Sequence, residues 1–403
     1  MGFKHEFVRV CLVMFLLVWV IEAIEAEDNI RFFNVKDYGA VADSRNDNTQ
    51  AFLKAWNEAC KWEGRARVWI PKGTYMLNTV TFQGPCKGSM AFVIKNGVLK
   101  APADKKSFLS TETWINFQYV DQLTVAGDGT LDGQGAAAWP YNDCSKNPDC
   151  HSLPATMGFG FVTNSQVHHV RSINSKNTHF VLYGCDNMNF TKIRISAPGD
   201  SPNTDGIKIG RSTRIKISNS VIGTGDDCVA LLSGLKKIDI SQVVCGPGHG
   251  ISIGSLGKYD DEDEVEEISV KNCTFEGTSD GVRIKTWASG FDGKVSNLKY
   301  EDIVMNNVGK PIIIDQEYCP HPPCSQTPSK IQISDVTYKN FRGSSSSDVA
   351  VTLNCSPSKP CSDIRMENID LWHQNSGSGK RVTSSCSNAY GVSYGKQSPP
   401  SCF

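Results

Sequence analysis

Three aspartates and a histidine stand at matched positions in short repeated phrases. Asp205 opens Asp205-Gly-Ile-Lys-Ile, Asp227 opens Asp227-Cys-Val-Ala-Leu with Asp226 directly before it, and His249 opens His249-Gly-Ile-Ser-Ile. A fourth copy, Asp280-Gly-Val-Arg-Ile, brings two cations, Arg283 and Lys285. Carboxylates held close together cannot all ionise at their ordinary pKa, because each negative charge disfavours the next, and one proton is retained. A carboxylic acid that protonates a leaving oxygen, beside a carboxylate that activates water, is what hydrolysis of a glycosidic bond requires. Two cations facing those acids suit a sugar that itself carries a carboxylate. Taken singly, each residue has a plainer reading: Asp205 and Asp280 as turn formers, His249 as a structural histidine, Arg283 and Lys285 as a solvated strand face. The common register favours the chemistry, and only Asp280 is left as a turn former.

The elements that must position these residues follow from the period. The first three phrases begin 22 residues apart, and a fixed period of that size marks a solenoid whose turns stack one on the next. Side chains alternate faces along a strand. Ile207, Val229, Ile251 and Val282, with Ile209, Leu231, Ile253 and Ile284, therefore point inward, while Lys208, Ala230, Ser252 and Arg283, with Gly210, Leu232, Gly254 and Lys285, point outward. Neighbouring strands lie about 4.8 Å apart, so Asp205, Asp227 and His249 form a ladder with Asp226 beside it. Antiparallel sandwiches lack such a constant coil period, and parallel connections are right-handed in nearly all cases. The predicted fold is all-β, a single-domain right-handed parallel β-helix. Apolar residues at helical spacing predict an N-terminal capping helix from Asn48 to Cys60, with Asp47 and Asn48 as its caps. The Ser-, Gly- and Pro-rich segment 377–403 reads as an irregular, disulfide-linked tail, and the acidic run from Tyr259 to Glu267 as a solvated loop.

Residues 1–26 read as a signal peptide: Lys4 and Arg9 precede an apolar run from Val10 to Ile21, and the small residues Ala23 and Ala26 follow. That run is shorter than the roughly 20 residues a membrane span needs. Residues 27–403 are then the secreted catalytic domain. Of 15 cysteines one, Cys11, lies in the leader, and the even remainder bound for an oxidising compartment favours disulfides. Local candidates are Cys144/Cys150, Cys319/Cys324, Cys355/Cys361 and Cys386/Cys402. No C-x-x-C pair is present, so His321 beside Cys319 reads as a loop residue and no metal is expected. Asn189, Asn272 and Asn354 open glycosylation sequons. A net charge of −1 with dispersed basic residues implies neither nucleic acid nor an anionic membrane as partner. The expectation is a monomer working without a cofactor.

Asn203-Thr-Asp-Gly206, Gly225-Asp-Asp-Cys228, Gly248-His-Gly250 and Arg283-Ile-Lys285 resemble, in order, the four signature motifs of the polygalacturonases, the family 28 glycoside hydrolases. The resemblance runs from Asn34-Val-Lys-Asp-Tyr-Gly-Ala40 through nearly the whole mature chain and is strongest between Phe159 and Tyr318. It implies Asp226 as general acid, Asp205 and Asp227 holding and deprotonating water, and inversion at the anomeric carbon. It also implies that His249 helps to set the protonation of the acids, that Asn203, Arg283, Lys285 and Tyr318 bind the sugar, and that Cys228 pairs with Cys245. Gly127-Asp-Gly-Thr-Leu-Asp-Gly-Gln-Gly135 followed by Ala136-Ala-Ala-Trp139 is similar to the plant pollen-type, exo-acting branch. The implied substrate is the α-1,4-linked homogalacturonan of the cell wall. Endo action, or a silent β-helix that binds pectin, are the alternatives; a pectate lyase fits the adjacent acids less well, and a rhamnogalacturonan hydrolase fits Arg283-Ile-Lys285 less well.

Overall fold

Alternating Ile and Val residues set the cross-section of the molecule. The structure, a computed structural model, describes residues 30–104, 111–142, 152–320 and 322–403 apart from 376 and 378. The leader, Cys144, Cys150 and His321 fall outside the described residues. Every pairing between the strands is parallel, and the chain winds through an 11-stranded sheet and a 20-stranded sheet. The expected β-helix is therefore the observed one.

The smaller sheet carries the repeated phrases. Its central strands, Phe180–Tyr183, Ile207–Gly210, Val229–Leu231, Ile251–Leu256, Asp280–Trp287 and Lys310–Tyr318, lie side by side in chain order. Ile207 pairs with Val229, Val229 with Ile251, Ile251 with Val282 and Val282 with Ile312, and all five are buried. Like side chains thus stack on like along the helix axis, each covering the apolar surface of the next. Lys208, Ala230, Ser252 and Arg283 form the matching outward row.

The helix Thr49–Cys60 covers the N-terminal end. Its Trp56 ring lies 5.1 Å from Phe82 and 5.5 Å from Phe117, and Phe117 stacks on Phe159 at 5.7 Å, so the helix closes an aromatic column that continues into the coils. Asn48 is the N-cap by backbone position but makes no capping bond with its side chain; Asp47 accepts from the Thr49 backbone at 3.0 Å.

Two expectations are corrected here. The 377–403 segment is not irregular: Thr383–Ser387 joins the smaller sheet beside Val349–Asn354, and Ala389–Ser398 joins the larger one beside Cys361–His373. Its serines disguised the strands because, among the described residues, no coil packs beyond this one, and half-exposed polar side chains occupy positions that are apolar elsewhere. The even cysteine count also overstated pairing. Cys228–Cys245, Cys319–Cys324, Cys355–Cys361 and Cys386–Cys402 are bridged, and so is Cys60–Cys86, which ties the capping helix to a loop. Cys185 and Cys273 are free and buried, where they serve as small apolar side chains. Of the sequons, Asn189 and Asn272 are exposed, whereas Asn354 is half-buried with its side chain bonded to Glu317 and Ser387.

Candidate active site

The acids sit where strands of the smaller sheet begin, on turns that only small residues can form. A Cβ on Gly225 would lie 2.0 Å from the Ser201 carbonyl oxygen, and one on Gly250 would lie 2.1 Å from that of Gly281. These glycines let the turns of successive coils pack backbone against backbone. The Cys228–Cys245 bridge then fastens the residue after Asp227 to the end of the Leu235–Cys245 strand.

Asp227 is the best-held of the three acids. Its Oδ1 accepts from Ser252 Oγ at 2.7 Å and from Arg283 Nη2 at 2.8 Å, and its Oδ2 accepts from Lys285 Nζ at 2.9 Å. Arg283 also donates from Nε to Ser252 Oγ at 3.0 Å and reaches Asp280 Oδ2 at 3.4 Å. The two cations expected to face a substrate carboxylate are therefore already engaged with a carboxylate of the protein. Lys285 Nζ lies 5.4 Å from the centre of the Tyr318 ring, and Tyr318 packs edge-on against Trp287 at 5.4 Å.

Asp205 is buried and has a partner that motif spacing did not single out. Lys208 Nζ lies 2.8 Å from its Oδ2, and Thr178 Oγ1 donates to the same oxygen at 3.2 Å. Burial, with help from Asp226 and Asp227, outweighs Lys208 and pushes the Asp205 carboxyl up to about 6. Burial acts against the Lys208 charge as well, yet Asp205 keeps that ammonium above its ordinary value.

Asp226 is half-exposed and faces His249. His249 Nδ1 lies 3.0 Å from Asp226 Oδ1, and the backbone N–H of Asp227 donates to the same oxygen at 2.8 Å. Burial draws the Asp226 carboxyl upward, but the hydrogen bond and charge of His249 bring it below the ordinary carboxylate range. His249 is raised in return, chiefly by its hydrogen bond to Asp226 against the opposing effect of burial. The strand ladder aligns His249 with Asp227, and the side chain nonetheless meets Asp226.

The remaining expected residues fall around this cluster. Asn203 lies on the loop that leads into Asp205 and donates to Asn142 Oδ1 at 2.8 Å, which ties that loop to the segment just after the Trp139–Tyr141 turn. Asp280 opens its strand buried against Ser279 and Arg283. Lys208 and Ser252 were the functional side chains missed, although both stand in the outward row that contains Arg283. Ligand atoms of Asp226, Asp227 and His249 lie within 4.8 Å of one another, a spacing a metal ion can bridge. A metal there would have to displace Arg283 and Lys285 from Asp227, so the group is composed for acid–base work. A half-exposed carboxyl paired with an imidazole, beside two buried carboxylates braced by cations, can hydrolyse an acetal.

Comparison with known proteins agrees with that chemistry. The model of Glycosyl hydrolases family 28 matches residues 60–397, and that of Rhamnogalacturonase A/epimerase, pectate lyase-like, matches residues 32–83. An exopolygalacturonase of Platanus acerifolia is 47% identical over 368 residues, covering 91% of this chain and 96% of its own. One from Oenothera organensis is 46% identical over 358 residues, covering 88% and 98%. Among solved structures, an exopolygalacturonase from Thermotoga maritima shares the fold with a TM-score of 0.71 at 21% identity, over 85% of this chain and 87% of that one.

Proposed function

The chain belongs to glycosyl hydrolase family 28, and from that premise we propose that it is an extracellular polygalacturonase that removes galacturonate from the ends of pectic polygalacturonate chains. The observation that carries this reading is the close grouping of Asp226, His249 and the cation-held Asp227 on one face of a chain 47% identical to an exopolygalacturonase. We assign the enzyme to the cell wall, reached through the 1–26 leader as a monomer. Residues 27–403 then form one catalytic domain.

In the proposed reaction Asp226 gives its proton to the glycosidic oxygen as the bond to the anomeric carbon breaks. Water attacks that carbon from the opposite face and inverts it, losing its proton to the Asp205–Asp227 side of the cluster. In the free protein the proton of the Asp226–His249 pair resides on the imidazole, which is held above its ordinary value while Asp226 is held below. A sugar covering the groove removes water from the half-exposed pair, and a charge-separated pair loses more on desolvation than a neutral one. The proton then moves across the 3.0 Å hydrogen bond onto Asp226. Arg283 and Lys285, with Tyr318, bind the galacturonate carboxylate, sharing their donors between it and Asp227.

The test is to incubate the purified protein with polygalacturonate over a range from mildly acidic to neutral pH and resolve the early products by length. Monomer alone is expected. A ladder of oligomers means endo action, and absence of new reducing ends overturns the assignment.

A further inference from the structure

Several strands of the smaller sheet are followed directly by a residue with positive φ, and in two successive coils that residue is aromatic. Tyr119 has φ 55° and Phe161 φ 53°, whereas the next coil has Gly184 at φ 65°. Bulky side chains rarely take this conformation, and strain of this kind persists where the surroundings or a function require it. The two rings are stacked, 5.2 Å apart and 4° from parallel. Phe161 then leans over Gly184, where an added Cβ would lie 2.6 Å from two of its ring atoms, and meets Tyr183 edge-on at 5.8 Å. The glycine makes room for the ring.

All three rings are open to water: Tyr119 is 51% exposed, Phe161 46% and Tyr183 44%. Contiguous exposed aromatics are uncommon on a folded surface unless something covers them. Their place indicates what does. Tyr183 stands two residues beyond Val181, which is aligned with Lys208 in the outward row that continues through Ala230 and Ser252 to Arg283. Tyr183 therefore faces the same way as the catalytic cluster. It lies two coils, roughly 10 Å, before the coil of Asp227, and Gly210 beside it leaves the floor between them low.

We propose that Tyr119, Phe161 and Tyr183 form a stacking platform for the polygalacturonate chain whose end occupies the catalytic cluster. A galacto-configured pyranose turns the C–H bonds of C3, C4 and C5 to one face, and that apolar face lies flat on an aromatic ring. A ring makes this contact without demanding a charge, so successive sugars bind while their carboxylates stay solvated. The platform is continuous with the face that carries the cluster, and the occupant is therefore the same glycan. This inference rests on the polygalacturonase reading.

KM and kcat for long polygalacturonate and for digalacturonate, measured in the wild type and in the Phe161→Ala/Tyr183→Ala double variant, test it. The double variant should raise KM for the polymer at least fivefold with kcat unchanged, leave both constants for digalacturonate within twofold, and Phe161→Tyr should behave as wild type. A polymer KM within twofold of wild type overturns the platform, and so do equal losses on both substrates. If the double variant fails to fold, Tyr183→Ala is placed in the inactive Asp226→Asn protein, and its retardation in a native gel containing polygalacturonate is compared with that of Asp226→Asn alone. Weaker retardation supports the platform and unchanged retardation overturns it. Failure of the wild type to release reducing ends refutes the activity, a different result from loss of the chain-length contrast.

Discussion

His249 contacts Asp226 through two bonds: its Nδ1 lies 3.0 Å from Asp226 Oδ1, and its backbone N–H donates to the Asp226 carbonyl oxygen at 2.8 Å. The histidine is thus a fixture of the turn that carries the acid, and the pair titrates as a unit. Its last proton leaves above the ordinary imidazole range, because His249 is raised. The alkaline limb of kcat/KM should reflect that loss. His249→Ala should lower kcat at least tenfold and move the alkaline limb to lower pH, while Asp226→Asn should abolish hydrolysis at any pH. An alkaline limb unmoved in His249→Ala would sink the pairing.

The acid limb belongs to Asp205. Its carboxyl, pushed up to about 6 by burial, has to lose its proton before it can help to deprotonate water, so kcat/KM should fall as pH drops below that value. Lys208, 2.8 Å away, is what keeps the value from rising further. Lys208→Met removes the cation but keeps the apolar stem. The acid limb should then shift to higher pH by about one unit or more, with kcat on its plateau little changed. A pH–rate profile that overlays the wild type would show that Asp205 does not govern this limb.

Arg283 and Lys285 each have a bond to Asp227, and in the proposed reaction each also meets the sugar carboxylate. Arg283→Lys should therefore be damaging: an ammonium cannot reproduce a guanidinium that reaches Asp227, Ser252 and Asp280 together. We expect KM for polygalacturonate to rise at least tenfold and kcat to fall, because a buried carboxylate is left short of donors. Lys285→Ala should raise KM and reduce the preference for free over methyl-esterified galacturonate. Kinetics on substrates of graded ester content check both, and an unchanged preference would remove Lys285 from the binding role.

The period and the two-residue alternation made most of this architecture legible, because both are written in residue types: Ile207, Val229 and Ile251 had to stack, and Arg283 had to face out beside Ser252. What they could not convey was the direction of side chains on turns. The register of the strands aligns His249 with Asp227, and only the actual turn directs the imidazole to Asp226. Lys208 looked like any outward lysine until burial of Asp205 left it as that acid's cation. Cys185 and Cys273 escaped for another reason: parity of a cysteine count has no term for a thiol that is simply part of the core. Cys60 and Cys86 stand 26 residues apart, and their pairing depends on how the helix docks.

Asp205 also ties stability to pH. Its folded value of about 6 exceeds the ordinary 3.8, so the folded chain binds this proton more tightly than the unfolded chain does. That contribution is fully present below 3.8 and is lost as pH rises through about 6. Two units correspond to on the order of 1–3 kcal/mol once coupling to Asp226 and Asp227 is allowed for. Asp205→Asn mimics the protonated carboxyl at every pH. The variant should be inactive yet more stable than the wild type at pH 7.5, by a few degrees in Tm, with the gap closing as pH falls toward 4. Thermal unfolding followed by circular dichroism across that range measures it. A variant less stable than the wild type at pH 7.5 would mean that the ion pair with Lys208 outweighs the cost of burying the charge, and that Asp205 is ionised throughout the working range.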